Sequence, residues 1–163
     1  MRIPALLLAL AALSGCQLQP LYGGGRAGPV RSTLSSIEVA PIEGQAGWLV
    51  SNALKDRLQA EGTARYRLDI KLDQQITGLG VRRDDSVVRE RTSLRARYQL
   101  VELETGNVVL DSTAGSDAGV DVVGSEYATI AAERSAIERL SGIVADQIVA
   151  RVARFAQAGK GTQ

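Results

Sequence analysis

Two long segments alternate apolar and polar residues with a period of two, and this alternation constrains the fold more than any other feature. In residues 64–76, the apolar residues Tyr66, Leu68, Ile70 and Leu72 fall on one side, and charged residues fall between them. In a β-strand successive side chains point to opposite faces of the sheet, so this segment predicts a strand with one buried face.

The second alternating segment, residues 87–103, places its apolar residues from Leu94 to Leu100 on one face. After Leu100 the apolar residues are Val101 and Leu103, which fall at odd instead of even positions. This break in the alternation predicts a β-bulge. A long exposed hairpin tip, containing the sequences GLG (78–80) and RRDD (82–85), is expected to join the two strands.

Residues 104–107 (ETGN) predict a turn into a third hairpin strand. This strand begins at Val108, continues through Ala114 and resumes around residues 120–123. A short strand is also predicted at residues 36–42, where a proline at position 41 ends it.

Two segments instead show helical spacing. Residues 45–60 place Val50, Leu54 and Leu58 one turn apart, and Gly62 is a stop signal. After an N-cap at Ser125, a second stripe runs for about thirty residues. Its members are Tyr127, Ile130, Ile137, Leu140, Val144, Ile148, Val152 and Phe155. The order β-α-β-β-β-α predicts an α+β two-layer sandwich, with an antiparallel or mixed sheet of about four strands and two helices packed on one face.

The amino terminus has the features of a secretory signal. Arg2 and an apolar run from Ala5 to Leu13 precede small residues, and the run is too short to span a bilayer. The tetrad LSGC, ending at Cys16, resembles the lipobox of bacterial lipoproteins, in which the cysteine is acylated and becomes the first residue. The alternative is a plain secreted protein with a chance cysteine in its leader.

These features divide the chain into four parts. Residues 1–15 are predicted to be a signal peptide, and 16–35 a lipidated N-terminus with a flexible glycine-rich spacer over 23–35. Residues 36–157 form the folded domain, and 158–163 a disordered tail. Removing the signal leaves 148 residues, enough for one domain with a sizeable core.

Composition excludes several classes of function. The chain has no histidine and a single cysteine, which excludes Ser-His and Cys-His catalysis and ordinary zinc sites. A formal net charge of +1 and few aromatic residues disfavour nucleic-acid binding. An enzyme built on carboxylates stays open, with Asp84 and Asp85 as its candidate acids, although adjacent carboxylates in a hairpin tip are usually just solvated. No cofactor or metal is predicted.

The polar side of the two alternating segments carries many cations. On this side we expect a surface for an anionic partner, where arginine forks engage phosphates, or a solvated face whose charges pair across strands. The residues concerned are Arg65, Arg67, Lys71, Arg89, Arg91, Arg95 and Arg97, with Arg82 and Arg83 in the connecting loop.

Several segments together resemble the LptE family of lipopolysaccharide (LPS)-assembly lipoproteins, in its alphaproteobacterial form. Cys16 and the following QPLYG (19–23) are similar to the Cys-Gly-Phe-x-Pro-Leu-Tyr-Gly opening of that family, although Gln17-Leu18 replaces Gly-Phe. Further similar segments, covering nearly all of the mature chain, are NALKDRL (52–58), YRLDIKL (66–72), GLGVRRD (78–84), YQLVELETGNVVL (98–110) and SEYATIAAERSAIERL (125–140).

The resemblance implies a non-enzymatic lipoprotein on the periplasmic face of the outer membrane, anchored through Cys16. It implies a plug inside a large LptD-like β-barrel that helps the barrel assemble and helps deliver LPS to the outer leaflet. Direct contact with LPS through the cations above is a further expectation. Gln17 supports the outer membrane, because an aspartate there can signal inner-membrane retention in some bacteria. The alternatives are a tethered periplasmic enzyme or enzyme accessory, and a structural envelope lipoprotein.

Overall fold

The computed structural model describes residues 28–81, 87–122 and 125–158. Three helices and four strands lie within these ranges. In chain order they are α1 (Pro29–Ser35), β1 (Ile37–Val39), α2 (Gly44–Leu58), β2 (Tyr66–Val81), β3 (Val87–Glu102), β4 (Val108–Asp121) and α3 (Glu126–Ala158). The strands form one sheet in the order β1-β2-β3-β4, with β1 parallel to β2 and the other pairs antiparallel. The predicted α+β class with a mixed four-stranded sheet is confirmed.

Helix α1 corrects the prediction of a flexible spacer over residues 23–35. Its first residue is a proline, which suits the first turn because the fixed φ is already helical. Val30 and Leu34, one turn apart, are 7% and 2% exposed and belong to the core, where α1 packs against α3. Two apolar residues among glycines are too few to predict a helix, and this one is stabilised by its contact with α3. Residues 23–27 lie outside the described part of the chain.

The pairing of β2 with β3 runs from Tyr66 opposite Glu102 to Val81 opposite Val87. Residues 78–81 therefore belong to the strand, and the connection is shorter than predicted. The register shifts between Leu100 and Val101, which confirms the predicted bulge.

Strand β4 is continuous, whereas the sequence predicted an interruption after Ala114. Gly115 and Gly119, which weaken the strand pattern, remain paired with Arg95 and Arg91 of β3. Packing favours glycine at position 115, because the Cβ of any other residue would stand 2.5 Å from Cδ of Arg95. The arginine side chain thus crosses β4 over the space that Gly115 leaves free.

Helix α2 ends at Leu58, two residues earlier than predicted. Gln59 takes the left-handed conformation with φ of 47° and donates its backbone N–H to the Lys55 carbonyl. A left-handed cap is usually glycine, and here a glutamine ends the helix before Gly62 is reached. Val50, Leu54 and Leu58 are all buried as expected.

The core lies between the sheet and the helices. In α3 the buried residues include Ile137, Val144 and Ile148, which confirms the central part of the predicted stripe. Its first two members are not buried: Tyr127 is 88% and Ile130 39% exposed. Helix α3 has 33 residues and α2 only 15, so at 1.5 Å per residue α2 cannot flank the whole of α3.

Candidate functional site

The sheet face opposite the helices carries the predicted cations. The register of β2 and β3 places Lys71 opposite Arg97 and Asp73 opposite Arg95. Every second residue from these along both strands lies on the same face of the sheet. All seven residues of the predicted set are exposed, namely Arg65, Arg67, Lys71, Arg89, Arg91, Arg95 and Arg97. They share one face, as the alternation predicted; Arg65 immediately precedes β2.

Strand β4 changes the charge of this face. Asp111, Asp117 and Asp121 lie opposite Gln99, Ser93 and Arg89, so their side chains point to the same side as the arginines. On β2 and β3 alone this face is predominantly cationic. The structure corrects this description: carboxylates are interspersed among the cations.

Three arginines of β3 form ion pairs with these aspartates. Both terminal oxygens of Asp117 accept hydrogen bonds from one nitrogen of Arg95, at 2.9 and 3.0 Å. Arg89 pairs with Asp121 at 2.8 Å, and Arg97 with Asp111 at 3.1 Å. The expectation that charges pair across strands is met at these positions.

Two further pairs lie near the start of β2. Nε of Arg67 lies 2.9 Å from a carboxylate oxygen of Asp69 in the same strand. Arg65 lies 3.1 Å from Glu102, and its guanidinium stands 5.2 Å from the ring centre of Tyr66. Exposed pairs of this kind contribute about 0–1 kcal/mol each to stability.

The charge of Asp111 is stabilised by its neighbours. Hydrogen bonds donated by Arg97 and Gln99 lower the pKa of this carboxyl, and the charge of Arg97 acts in the same direction. At neutral pH Asp111 is therefore ionised and partnered, and Arg97 is correspondingly less available to an external anion.

Lys71 and Arg91 differ from the other five cations. Within residues 28–81, 87–122 and 125–158, neither has a carboxylate at salt-bridge distance. Lys71 lies beside a shallow depression that Arg95, Arg97 and Thr113 also line. Like charges directly opposite each other, as at Lys71 and Arg97, are unfavourable unless an anion binds between them.

Other predicted residues fall outside the described ranges. These are the anchor Cys16, the loop residues Arg82 and Arg83, and the candidate acids Asp84 and Asp85. Among the residues that are described, no group of three or more acidic or cysteine side chains is arranged to hold a metal ion. None of the described helices is long and apolar enough to cross a membrane.

Sequence reasoning missed Gln147 and the aspartates of β4. The spacing of Asp111, Asp117 and Asp121 by even numbers was a readable signal that they share a face. Gln147 gave no signal, because its contact with the backbone of Gly115 depends on how α3 packs beside β4.

The fold built by this mixed four-stranded sheet and its helices is similar to that of bacterial lipoproteins of known structure. A crystal structure from Caulobacter crescentus CB15, named provisionally as a lipoprotein, superimposes with a TM-score of 0.67 at 30% identity and covers 82% of this chain and 98% of its own. The solution structure of uncharacterized lipoprotein B from Nitrosomonas europaea has a TM-score of 0.59 at 13% identity over 77% of this chain and 84% of its own, and so shows the fold alone.

A family model matches residues 34–152 of this protein, which is more than half of the chain. This protein belongs to the LptE family, described as lipopolysaccharide-assembly. An uncharacterized protein of Rickettsia prowazekii (strain Madrid E) is 23% identical over 124 residues, covering 76% of this chain and 78% of that one. The chain therefore belongs to a family of envelope lipoproteins that act in LPS assembly, and the role of that family is non-enzymatic.

Proposed function

We propose that this protein is anchored through Cys16 to the periplasmic face of the outer membrane, where it plugs and helps assemble an LptD-like β-barrel and assists LPS delivery to the outer leaflet. The observation that carries this proposal is the family match over residues 34–152, together with the lipobox at residues 13–16. The compact sandwich fits a plug, because its helices leave one long polar sheet face free for the polar interior of a barrel.

Direct contact with LPS is the finer part of the proposal. The phosphates of lipid A would be held by charge-assisted hydrogen bonds, which are strongest where the cation is not already paired. Five of the seven predicted cations have carboxylate partners within the fold. Lys71 and Arg91 are therefore the residues that we expect to contribute most to an LPS contact.

Charge reversal at these two residues tests the LPS contact. The variant Lys71→Glu/Arg91→Glu should bind LPS more weakly than the wild type, with the largest difference at low salt because exposed charges are screened as salt rises. A matched control, Lys55→Glu/Arg139→Glu, changes the net charge equally through exposed residues of α2 and α3. Binding of LPS to the full chain in detergent and copurification of the barrel should be measured on all three proteins.

The possible outcomes separate the two roles of this face. Weaker LPS binding in the first variant alone supports a lipid contact. Loss of the barrel with unchanged LPS binding identifies a docking surface and refutes the lipid contact. If neither property differs from the control, the cations are a solvated face.

The anchor has its own test. Changing Cys16 to Ala should abolish acylation and leave an uncleaved precursor or a mislocalised protein. Mass spectrometry of the mature wild-type chain should find an acylated Cys16 at its amino terminus, and an unmodified terminus at another residue would refute the lipid anchor.

A further inference from the structure

The two edges of the sheet are protected to different degrees. On the outer edge of β4, the backbone N–H of Gly115 donates to Oε1 of Gln147 at 2.9 Å, and Nε2 of Gln147 donates to the Gly115 carbonyl at 3.2 Å. The side chain of Gln147 thus occupies both backbone groups at the middle of the strand. Exposed aspartates also follow this strand, and charged residues are a usual means of preventing edge-to-edge pairing.

Among the described residues, the outer edge of β2 is covered only at its beginning. Strand β1 pairs with residues 66–68, and the last backbone hydrogen bond on this side runs from Ala40 N–H to the Leu68 carbonyl at 3.1 Å. Backbone groups alternate in direction along an antiparallel strand. Those of Ile70, Leu72, Gln74 and Ile76 therefore point outward, and no described residue pairs with them.

Beyond Asp73, this edge lacks the features that protect natural edges. Residues 74–81 (QQITGLGV) contain neither a charged residue nor a proline. Residues 74–78 are all exposed, and Ile76 is 49% exposed. A long, uncharged edge strand is a ready template for another strand.

We infer that this edge pairs with the same edge of a second copy of the chain, in antiparallel orientation, with Gln74 of one protomer opposite Gln74 of its partner. In this register Leu72 faces Ile76 of the other copy on the helix side of the sheet. On the opposite side, Lys71 faces Thr77 and Asp73 faces Gln75. The two strands complement each other, and no like charges face each other.

The neighbouring registers are less favourable. Centring the pair on Asp73 would place two aspartates directly opposite each other, which is destabilising. Centring it on Leu72 would place Ile76 opposite Leu68, whose carbonyl already accepts from Ala40. In the register centred on Gln74 that position is reached only at Gly80, so the pairing runs from Ile70 to Gly78. Centring it on Gln75 would place Leu72 opposite Gly78, and the Leu72–Ile76 contact would be lost.

The proposed pair is a closed, two-fold symmetric dimer in which six strands, β4-β3-β2 of each copy, run side by side, and each β1 keeps its place at the start of β2. Its two-fold axis is perpendicular to the sheet, so the helices of both copies lie on the same side. This association goes beyond the proposed function and describes the protein when it is not bound to a barrel.

Cysteine substitution tests the register directly. In the proposed pair the Cα atoms of the two Gln74 residues are about 5.5 Å apart, within the range of a disulfide. Those of the two Gln75 residues are offset along the strands and about 8 Å apart, which is too far. Under mild oxidation of the full chain in detergent, Gln74→Cys should form a covalent dimer, and Gln75→Cys should form no more than the wild type with its single cysteine.

Sedimentation equilibrium tests the association without a cross-link. The wild type should dimerise as concentration rises. Ile76→Lys should stay monomeric because it replaces the proposed Leu72–Ile76 contact with a charge directly opposite an apolar side chain. Val108→Lys is the matched control, since Val108 is a similarly exposed apolar residue (50%) on β4; it should dimerise like the wild type.

Three results would overturn the inference. One is a wild type that is monomeric at every concentration. Another is equal cross-linking of Gln75→Cys and Gln74→Cys, and a third is equal loss of dimer in Val108→Lys and Ile76→Lys. If the wild type is monomeric and Ile76→Lys loses copurification of the barrel, the edge belongs to the barrel contact and the dimer is wrong.

Discussion

Ser141 offers a direct test of how the core is packed, because its hydroxyl is buried and no described residue accepts a hydrogen bond from it or donates one to it. The residue lies in the middle of α3 and is 1% exposed. Within the described part of the chain its Oγ has no hydrogen-bond partner. A hydroxyl taken out of water without a compensating hydrogen bond costs about 1–3 kcal/mol. Ser141→Ala removes that cost and leaves the helix backbone unchanged.

The expected magnitude has two parts. Alanine is a better helix former than serine by about 0.5 kcal/mol, and removal of the unpartnered hydroxyl adds about 1 kcal/mol or more. Ser135→Ala in the same helix isolates the second part. Ser135 is exposed, and its hydroxyl donates to the Ala131 carbonyl at 3.0 Å, so its change should bring the propensity gain at most.

The measurement is chemical unfolding of both variants and the wild type, with thermal unfolding in parallel. Ser141→Ala should raise the free energy of unfolding by about 1–2 kcal/mol and Tm by about 3–8 °C. The midpoint should shift with the m-value unchanged. A gain no larger than that of Ser135→Ala, or a loss, would show that the hydroxyl has a partner such as a buried water, and that the reasoning is wrong.

Three further substitutions test the burial of individual side chains. Thr92→Val should stabilise the fold by about 1 kcal/mol, because Thr92 is fully buried and its hydroxyl also has no partner among the described residues; equilibrium unfolding would measure it. Ile148→Ala should cost about 2–5 kcal/mol, whereas Ile143→Ala, at a position 37% exposed, should cost clearly less; similar losses at both sites would contradict the packing of α3. Burial, together with the nearby Glu90, raises the pKa of Glu133. Compared with the unfolded state, the folded state therefore favours the protonated carboxyl. The contribution of this group to the free energy of unfolding is fully present at low pH and is lost as pH rises through the raised pKa. Glu133→Gln should thus be more stable than the wild type at pH 7, and the difference should shrink below about pH 4; a difference that does not change with pH would refute this.

Much of the fold could be predicted because it depends on neighbouring residues. The alternation at Leu94, Ala96 and Tyr98 fixes which face of β3 is buried, since successive side chains of a strand point to opposite faces. The spacing of Ile137, Val144 and Ile148 fixes the buried stripe of α3 for the equivalent reason in a helix. The slip after Leu100 predicted the bulge because it breaks the same alternation.

Other features depend on residues far apart in the sequence. Helix α1 forms where Val30 and Leu34 can be buried against α3, and that partner begins nearly a hundred positions later. The exposure of Tyr127 was equally invisible in the stripe, because the part of α3 that becomes covered depends on the helices and strands that pack against it.

The candidate site divides in the same way. By itself the sequence determined that Arg89, Arg91, Arg95 and Arg97 share a face, because that follows from strand periodicity. Only the tertiary structure decided which of them are paired, because the register between β3 and β4 brings each aspartate to a particular arginine. It also decided that the outer edge of β4 is covered, because the hydrogen bonds between Gln147 and the backbone of Gly115 depend on how α3 packs against β4. No local pattern of residues specifies that contact.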